Sequence, residues 1–251
     1  MLREFGLIGY PLSHSFSKGF FAEKFAKENM VNISYENFPI ESMSVFNHLW
    51  EQHPQLEGIN ITIPHKKSVI PFLDFPSSVV KSINACNCIR KYNGKFYGYN
   101  TDVIGFEKSL VPFLQPHHNK ALILGTGGAA AAVAWVLNKL AIDFKYVSRN
   151  ANEAGILNYE SLNTSIIQQH TLIINTSPVG MYPNVNEAPV LDYSAIGNAH
   201  HLYDLIYNPS ETLFLQKGKV QGATIQNGLE MLHLQAEASW EIWNSEKPLE
   251  Q

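Results

Sequence analysis

The chain predicts an α/β fold of two lobes, and three observations carry that expectation. Strand-like and helix-like segments take turns along the first hundred residues, which calls for a mainly parallel sheet covered on both faces. A single turn signal, Asn93-Gly94, interrupts the alternation with a hairpin. From near Thr101 the alternation starts again around a second set of apolar strands, and 251 residues suffice for two moderate domains.

Taken in order, Phe5 to Gly9 is a short apolar strand and Pro11-Leu12-Ser13-His14-Ser15 a turn. Ser15 or a neighbour is placed to cap the helix that runs to about Glu28. Asn32 to Phe38 reads as the second strand and Met43 to Gln52 as a helix. The third strand, Gly58 to Ile63, alternates: Ile59, Ile61 and Ile63 take one face, Asn60 and Thr62 the other. Pro64 ends it, because proline lacks an N–H and fixes its own φ, and Lys66 follows just past the break. A short helix is expected over Lys67 to Leu73, and strands over Ala85 to Lys91 and Lys95 to Tyr99. In the second half, Lys120 to Leu124 is a buried strand followed by an apolar helix to about Leu140. Phe144–Val147, Leu172–Thr176, Leu202–Ile206 and Gly222–Gln226 are the further strands. Gly228 to Trp243 has helical spacing, with Leu229, Leu232, Ala236 and Trp240 on one side, and is expected to pack back on the first lobe.

The bulk properties exclude several classes. Hydrophobic residues make up 45% and charged residues 16%, ordinary for a globular protein, and the net charge of −4 offers no basic field for nucleic acid. An anionic substrate must therefore be met by local groups. Cys86 and Cys88 lie two positions apart, unsuited to an ordinary disulfide, and no second pair completes a metal site. No apolar run reaches the roughly 18–20 residues that span a bilayer, and no leader pattern is visible, so the chain reads as cytoplasmic.

The strand–turn–helix around Gly125-Thr126-Gly127-Gly128-Ala129-Ala130 is the context a dinucleotide-binding turn of the Rossmann type requires. Gly125 makes the tight turn, Gly127 lets backbone amides approach a pyrophosphate, and Ala130 is small enough for close helix–strand packing. About twenty residues on, where an NAD enzyme usually presents an acid to the ribose, the chain has Ser148-Arg149-Asn150. A serine and an arginine suit a 2′-phosphate, and a charge-assisted hydrogen bond contributes roughly 1.5–3 kcal/mol, so NADP(H) is predicted over NAD(H).

Polar residues gather at strand ends and turns: Ser13 and Ser15, Asn60 and Thr62, Asn87, Asn100-Thr101-Asp102, and Gln235 on the last helix. Hydroxyls, amides, the Lys66 amine and the Asp102 carboxylate make an inventory for a small polyhydroxylated ligand. No Ser–His–Asp arrangement and no metal spacing is present.

Eight segments in order resemble the signature segments of the shikimate dehydrogenase family. They are Gly9-Tyr-Pro-Leu-Ser13-His-Ser15, Asn60-Ile-Thr62-Ile-Pro-His-Lys66, Asn84-Ala-Cys-Asn87, Gly98-Tyr-Asn-Thr-Asp102, the glycine turn from Gly125 to Ala130, Asn175-Thr-Ser-Pro-Val-Gly-Met181, Asp204-Leu-Ile-Tyr207-Asn-Pro, and Gly228-Leu-Glu-Met-Leu-His-Leu-Gln235. The resemblance implies reversible reduction of 3-dehydroshikimate to shikimate with NADPH, by a monomer or homodimer. It implies a substrate-binding and catalytic domain over residues 1–101 plus 229–251, a Rossmann NADP-binding domain over 102–228, and an active site in the cleft between them. Ser13 and Ser15 would bind the substrate carboxylate. Thr62, Asn87 and Gln235 would hold ring hydroxyls, with Asn60 supporting nearby and Tyr207 also touching substrate. Lys66 and Asp102 would be the catalytic pair, and Thr176, Leu205 and Gly228 would flank the cofactor ribose and nicotinamide.

One departure from the family pattern concerns the 2′-phosphate. The family's segment usually carries a second arginine, and here Glu153 and Ala154 stand in that region, so weaker NADP binding or partial tolerance of NAD is expected. The residues leave two other readings open: an NAD-using quinate/shikimate dehydrogenase, and a nucleotide-binding regulator that has lost the chemistry. The Ser148-Arg149 pair argues against the first, and the presence of both Lys66 and Asp102 against the second.

Overall fold

The computed structural model describes residues 2–12, 15–150 and 155–249. Its chain divides into two compact units, Met1–Ile104 with Gln235–Gln251, and Gly105–Leu234. This division sets Asp102 in the same unit as Lys66.

In the first unit the elements run β1 (Arg3–Gly9), α1 (Phe16–Lys27), β2 (Ile33–Pro39), α2 (Phe46–Gln52), β3 (Leu56–Ile61), β4 (Phe75–Pro76), α3 (Ser78–Ile83), β5 (Cys88–Tyr92), β6 (Lys95–Tyr99) and the start of α4 (Thr101–Leu110). Among the described residues the strands form a six-stranded sheet in the order β2-β1-β3-β5-β6-β4. β1 pairs in parallel with β2 and β3, and β4 with β6; β5 runs antiparallel to β3 and, through the Asn93-Gly94 hairpin, to β6. β3 thus lies inside the sheet, and both of its faces are covered. Ile59 and Ile61 pack with Phe46, Trp50 and Val80 in one core. On the other face Phe5, Phe21, Tyr35 and Trp243 form a second core.

Trp243 explains a glycine in mid-strand: a Cβ on Gly58 would sit 2.4 Å from the indole. That indole stacks on Phe5 and donates its N–H to the Ile89 carbonyl at 3.0 Å. Fully burying a large apolar side chain contributes roughly 1.5–3 kcal/mol, so this contact fixes the end of the last helix on the first unit's sheet.

The second unit continues with β7 (Lys120–Leu124), α5 (Gly128–Lys139), β8 (Asp143–Val147), β9 (Ile156–Leu157), α6 (Thr164–Gln169), β10 (Leu172–Asn175), β11 (His201–Asp204), α7 (Leu213–Val220), β12 (Thr224–Gln226) and the start of α8 (Leu229–Asn244). Its six described strands are all parallel, in the order β12-β11-β10-β7-β8-β9. This is the doubly wound order, with its switch point between β7 and β10, where ligands of such sheets bind outside the strands' carboxyl ends.

Several local expectations are corrected. Lys67 to Leu73 is no α-helix; only a 3-10 turn at Ile70–Phe72 forms, because Pro71 removes a backbone donor. β3 stops at Ile61, short of Pro64, and Ile63 is 74% exposed instead of joining the core face. The strand expected from Ala85 begins at Cys88. Ser15 occupies the N-cap position of α1 but makes no capping bond.

Candidate active site

Lys66 sits in a turn that its neighbours pin from several sides. Val69 N donates to the His65 carbonyl at 3.0 Å, and Cys86 N donates to the Lys66 carbonyl at 2.8 Å. The buried His65 ring donates through Nε2 to the Ile40 carbonyl at 2.7 Å. From this turn the Lys66 ammonium reaches Asp102 Oδ2 at 2.7 Å, with the two side chains 24% and 13% exposed. Asp102 is the second residue of α4, where the helix N-terminus favours a carboxylate. Its other oxygen accepts from Asn87 Nδ2 at 2.9 Å. Both carboxylate oxygens therefore have partners, which is what a partly buried ion pair needs to offset desolvation. Cys86 beside the pair is inert: burial pushes its thiol up to about 12.

Behind this pair lies a buried polar network. Asn87 donates its second amide hydrogen to Thr101 Oγ1 at 3.0 Å and accepts from Thr101 N at 2.6 Å. Thr101 Oγ1 also lies 3.4 Å from Gln235 Oε1 and 3.2 Å from Ser239 Oγ. Asn60 donates to Ser239 Oγ at 2.8 Å and to the Asn87 carbonyl at 3.2 Å, and accepts from the Tyr35 hydroxyl at 3.0 Å. Both Asn60 amide hydrogens are thus engaged inside the protein. The network brings together Asn60, Lys66, Asn87, Asp102 and Gln235. It also contains Tyr35 and Ser239, which inspection of the sequence passes over; the usable signal is that Ser239 lies one helical turn past Gln235 on the same face.

Ser15 and Thr62 lie in the same unit. The Ser15 hydroxyl is buried and has no hydrogen-bond partner among the described residues, as is also true of Asn37 Oδ1, Trp50 Nε1 and the Tyr99 hydroxyl. Thr62 follows β3, and its methyl lies so close to Gly9 that a Cβ there would sit 2.4 Å from it. Ser13 falls outside the described residues, as do Glu153 and Ala154.

In the second unit the glycine turn divides into two kinds of position. Gly125 has φ +119, and a Cβ would approach Thr176 Oγ1 to 2.8 Å, so it is required by the turn itself. Gly127 and Gly128 are different: a Cβ on either meets nothing within 4 Å. Packing does not demand them. Their bare backbone leaves an open cradle at the N-terminus of α5, lacking any side-chain cap and any acid in its first turn, and this suits a pyrophosphate. Thr126, Ala129 and Ala130 complete that turn, Ala130 buried against the sheet. Thr176 Oγ1 is tied to the Leu124 carbonyl at 2.9 Å. Gly228 packs directly on Leu205, where a Cβ would collide with the carbonyl.

Past β8, Ser148 Oγ accepts from Asn150 N at 3.2 Å, and the exposed Arg149 lies near Tyr159, whose phenol is pushed up by burial against the pull of that guanidinium. Tyr207 is 37% exposed just after β11. Among the described residues no cluster of His, Cys, Asp and Glu could hold a metal, and no helix is long and apolar enough to cross a membrane.

The chain is similar to known proteins over most of its length. Residues 7–89 match the family described as the shikimate dehydrogenase substrate binding domain. The chain is 37% identical to the shikimate dehydrogenase (NADP(+)) of Methanococcus maripaludis strain C6, over 97% of this chain and 92% of that protein. A crystal structure of a shikimate dehydrogenase in complex with NADP+ superposes with a TM-score of 0.85 at 29% identity, covering 99% of this chain and 92% of the other. The shikimate 5-dehydrogenase of Thermus thermophilus, in complex with NADP(H) and shikimate, gives 0.84 at 28% identity, covering 99% and 95%.

Proposed function

The chain belongs to the shikimate dehydrogenase family and is an NADP-dependent oxidoreductase that interconverts 3-dehydroshikimate and shikimate; we propose that Lys66 and Asp102 manage the proton of that reaction. The observation that carries the assignment is the 2.7 Å pair of Lys66 with Asp102, held on its other oxygen by Asn87. Bound NADPH supplies a hydride to the ketone carbon. The Lys66 ammonium donates a proton to the oxygen as negative charge builds on it, and Asp102 holds the amine in place. In shikimate oxidation Lys66 takes the hydroxyl proton as the base.

The remaining roles follow the chemistry of each side chain. Ser13 and Ser15 bind the substrate carboxylate, supported by the orphaned Ser15 hydroxyl. Thr62, Asn87 and Gln235 hold ring hydroxyls, Asn60 acts from behind through its engaged amide, and Tyr207 contacts substrate. Both Asn87 amide hydrogens go to Asp102 and Thr101, so a ligand hydroxyl meets Asn87 only at Oδ1, beside the hydrogen bond that Oδ1 already accepts from Thr101 N. The first unit carries substrate and catalysis and the second the cofactor. In the second unit the amides at Gly127 and Gly128 cradle the pyrophosphate. Ser148 and Arg149 take the 2′-phosphate, while Thr176, Leu205 and Gly228 flank the ribose and nicotinamide. The cytoplasmic setting expected from the sequence is kept as part of this proposal, with Cys86 and Cys88 both buried as free thiols.

Initial rates of shikimate oxidation with NADP+ and NAD+, with quinate alongside, test the reading. Preference for NADP+ and shikimate is the expected result. Comparable NAD+ rates together with good quinate turnover would replace it with a quinate/shikimate dehydrogenase.

A further inference from the structure

Ser239 has no solvent exposure, yet its hydroxyl meets three parts of the site at once. It accepts from Asn60 of β3 at 2.8 Å, donates to the Gln235 carbonyl one turn back in α8 at 3.0 Å, and lies 3.2 Å from Thr101 Oγ1 at the start of α4. Thr101 in turn accepts from Asn87 at 3.0 Å and lies 3.4 Å from Gln235 Oε1. Counting hydrogens shows why the serine matters. Thr101 has one hydroxyl hydrogen and three acceptors in reach, Asn87 Oδ1 at 3.2 Å, Gln235 Oε1 at 3.4 Å and Ser239 Oγ at 3.2 Å, and Ser239 stands ready to accept it because its own hydrogen goes to the Gln235 carbonyl. Ser239 therefore determines how Thr101 and the Gln235 turn share their bonds. We propose that Ser239 is a positioning residue for substrate: it clamps α8 to Thr101 and Asn60 and so sets the placement of Gln235 and Asn87 against the ring hydroxyls.

This inference rests on the substrate roles given to Gln235 and Asn87 above. Removing the hydroxyl leaves an Asn60 hydrogen without its acceptor and turns the Thr101 hydrogen to Gln235 Oε1 or Asn87 Oδ1, so the side chains that meet the ring hydroxyls must shift. The step affected is the fit of substrate, whereas the Lys66–Asp102 pair and the nucleotide turn do not contact Ser239.

The test is Ser239→Ala, read by steady-state kinetics. KM for shikimate should rise about tenfold while kcat changes by less than about threefold and KM for NADP+ by less than about twofold. In a Gln235→Ala background the same substitution should cost clearly less than about tenfold, because the part of its effect that runs through Gln235 is already lost and only the part through Asn87 remains. Should the alanine variant fail to fold, Ser239→Cys, assayed under reducing conditions because Cys88 lies beside it, replaces the hydroxyl with a slightly larger, weakly hydrogen-bonding thiol and is read the same way. A folded variant with unchanged KM for shikimate, or effects that add fully with Gln235→Ala, overturns the proposal and leaves Ser239 a packing residue. Unsubstituted protein that neither oxidises shikimate nor shows a shikimate-dependent thermal shift overturns the substrate assignment and this proposal with it.

Discussion

Lys66 and Asp102 stand 36 positions apart in the chain and meet at 2.7 Å, each delivered by a different kind of element, a pinned turn and the first turn of a helix. Lys66→Met removes the charge and the proton while keeping the stem. General acid–base groups contribute about 10²–10⁴-fold, so kcat for shikimate oxidation should fall by that factor with little change in KM for NADP+. Near-normal turnover of the methionine variant would remove the proton-transfer role from Lys66.

The sequence makes some of this legible and hides the rest for physical reasons. Strands β7 and β10 are apolar runs ended by polar or turn residues and can be read directly, as can the glycine turn between β7 and α5. The pairing of Lys66 with Asp102 can be expected only through family resemblance, since no local pattern joins a turn to a distant helix start. The start of α4 is hidden because Asn100-Thr101-Asp102 looks like a turn, whereas these residues open a helix: Asn100 Oδ1 accepts from Val103 N at 3.4 Å. β9, two residues long, carries no periodicity at all. Asn60 reads as part of a polar face; the structure buries that face and spends the amide on Tyr35, Ser239 and Asn87, partners far away in the chain.

The open cradle at the nucleotide turn separates cofactor binding from folding. Gly127→Ala introduces a methyl that meets no protein atom at a residue whose φ of −77 suits any side chain. Thermal stability should therefore stay near that of the unsubstituted protein while KM for NADP+ rises about tenfold or more, as backbone amides lose close approach to the phosphates. Gly125→Ala makes the contrast, losing stability because φ is +119 and Thr176 blocks the Cβ. Unchanged KM for NADP+ in the Gly127 variant would count against a pyrophosphate there.

Arg149 is the exposed cation proposed for the 2′-phosphate. Arg149→Gln should lower kcat/KM with NADP+ about ten- to hundredfold and leave kcat/KM with NAD+ within about threefold, since only NADP carries the phosphate. Equal losses with both nucleotides would assign the arginine a structural role instead.

The buried residues of β11 give the second unit an unusual balance with pH. His201 and Asp204 are both fully buried. Burial lowers the His201 imidazole from 6.5 to about 4, with Gln226 opposing and His118 assisting. Burial raises Asp204 from 3.8 to about 6, against hydrogen bonds from Thr212, Ile206 N and Asn175. The signs are opposite. An unfolded chain protonates His201 first, so its contribution is present above pH 6.5 and is lost as pH falls towards 4. The folded chain protonates Asp204 first, so stability is lost as pH rises from 3.8 through 6. Each shift corresponds to roughly 3 kcal/mol, and between about pH 4 and 6 the two slopes nearly cancel. His118 and His170, also lowered by burial, add to the His201 side. Asp204→Asn removes the opposing slope. Its amide meets three donors, so a constant loss of stability is expected at every pH. The informative quantity is the slope: between pH 6 and 4 the variant should lose about 2–3 kcal/mol more than the unsubstituted protein in urea unfolding. Parallel stability curves for the two proteins would show that Asp204 does not hold its proton in the folded state at pH 5, and the balance between the two residues would fall with it.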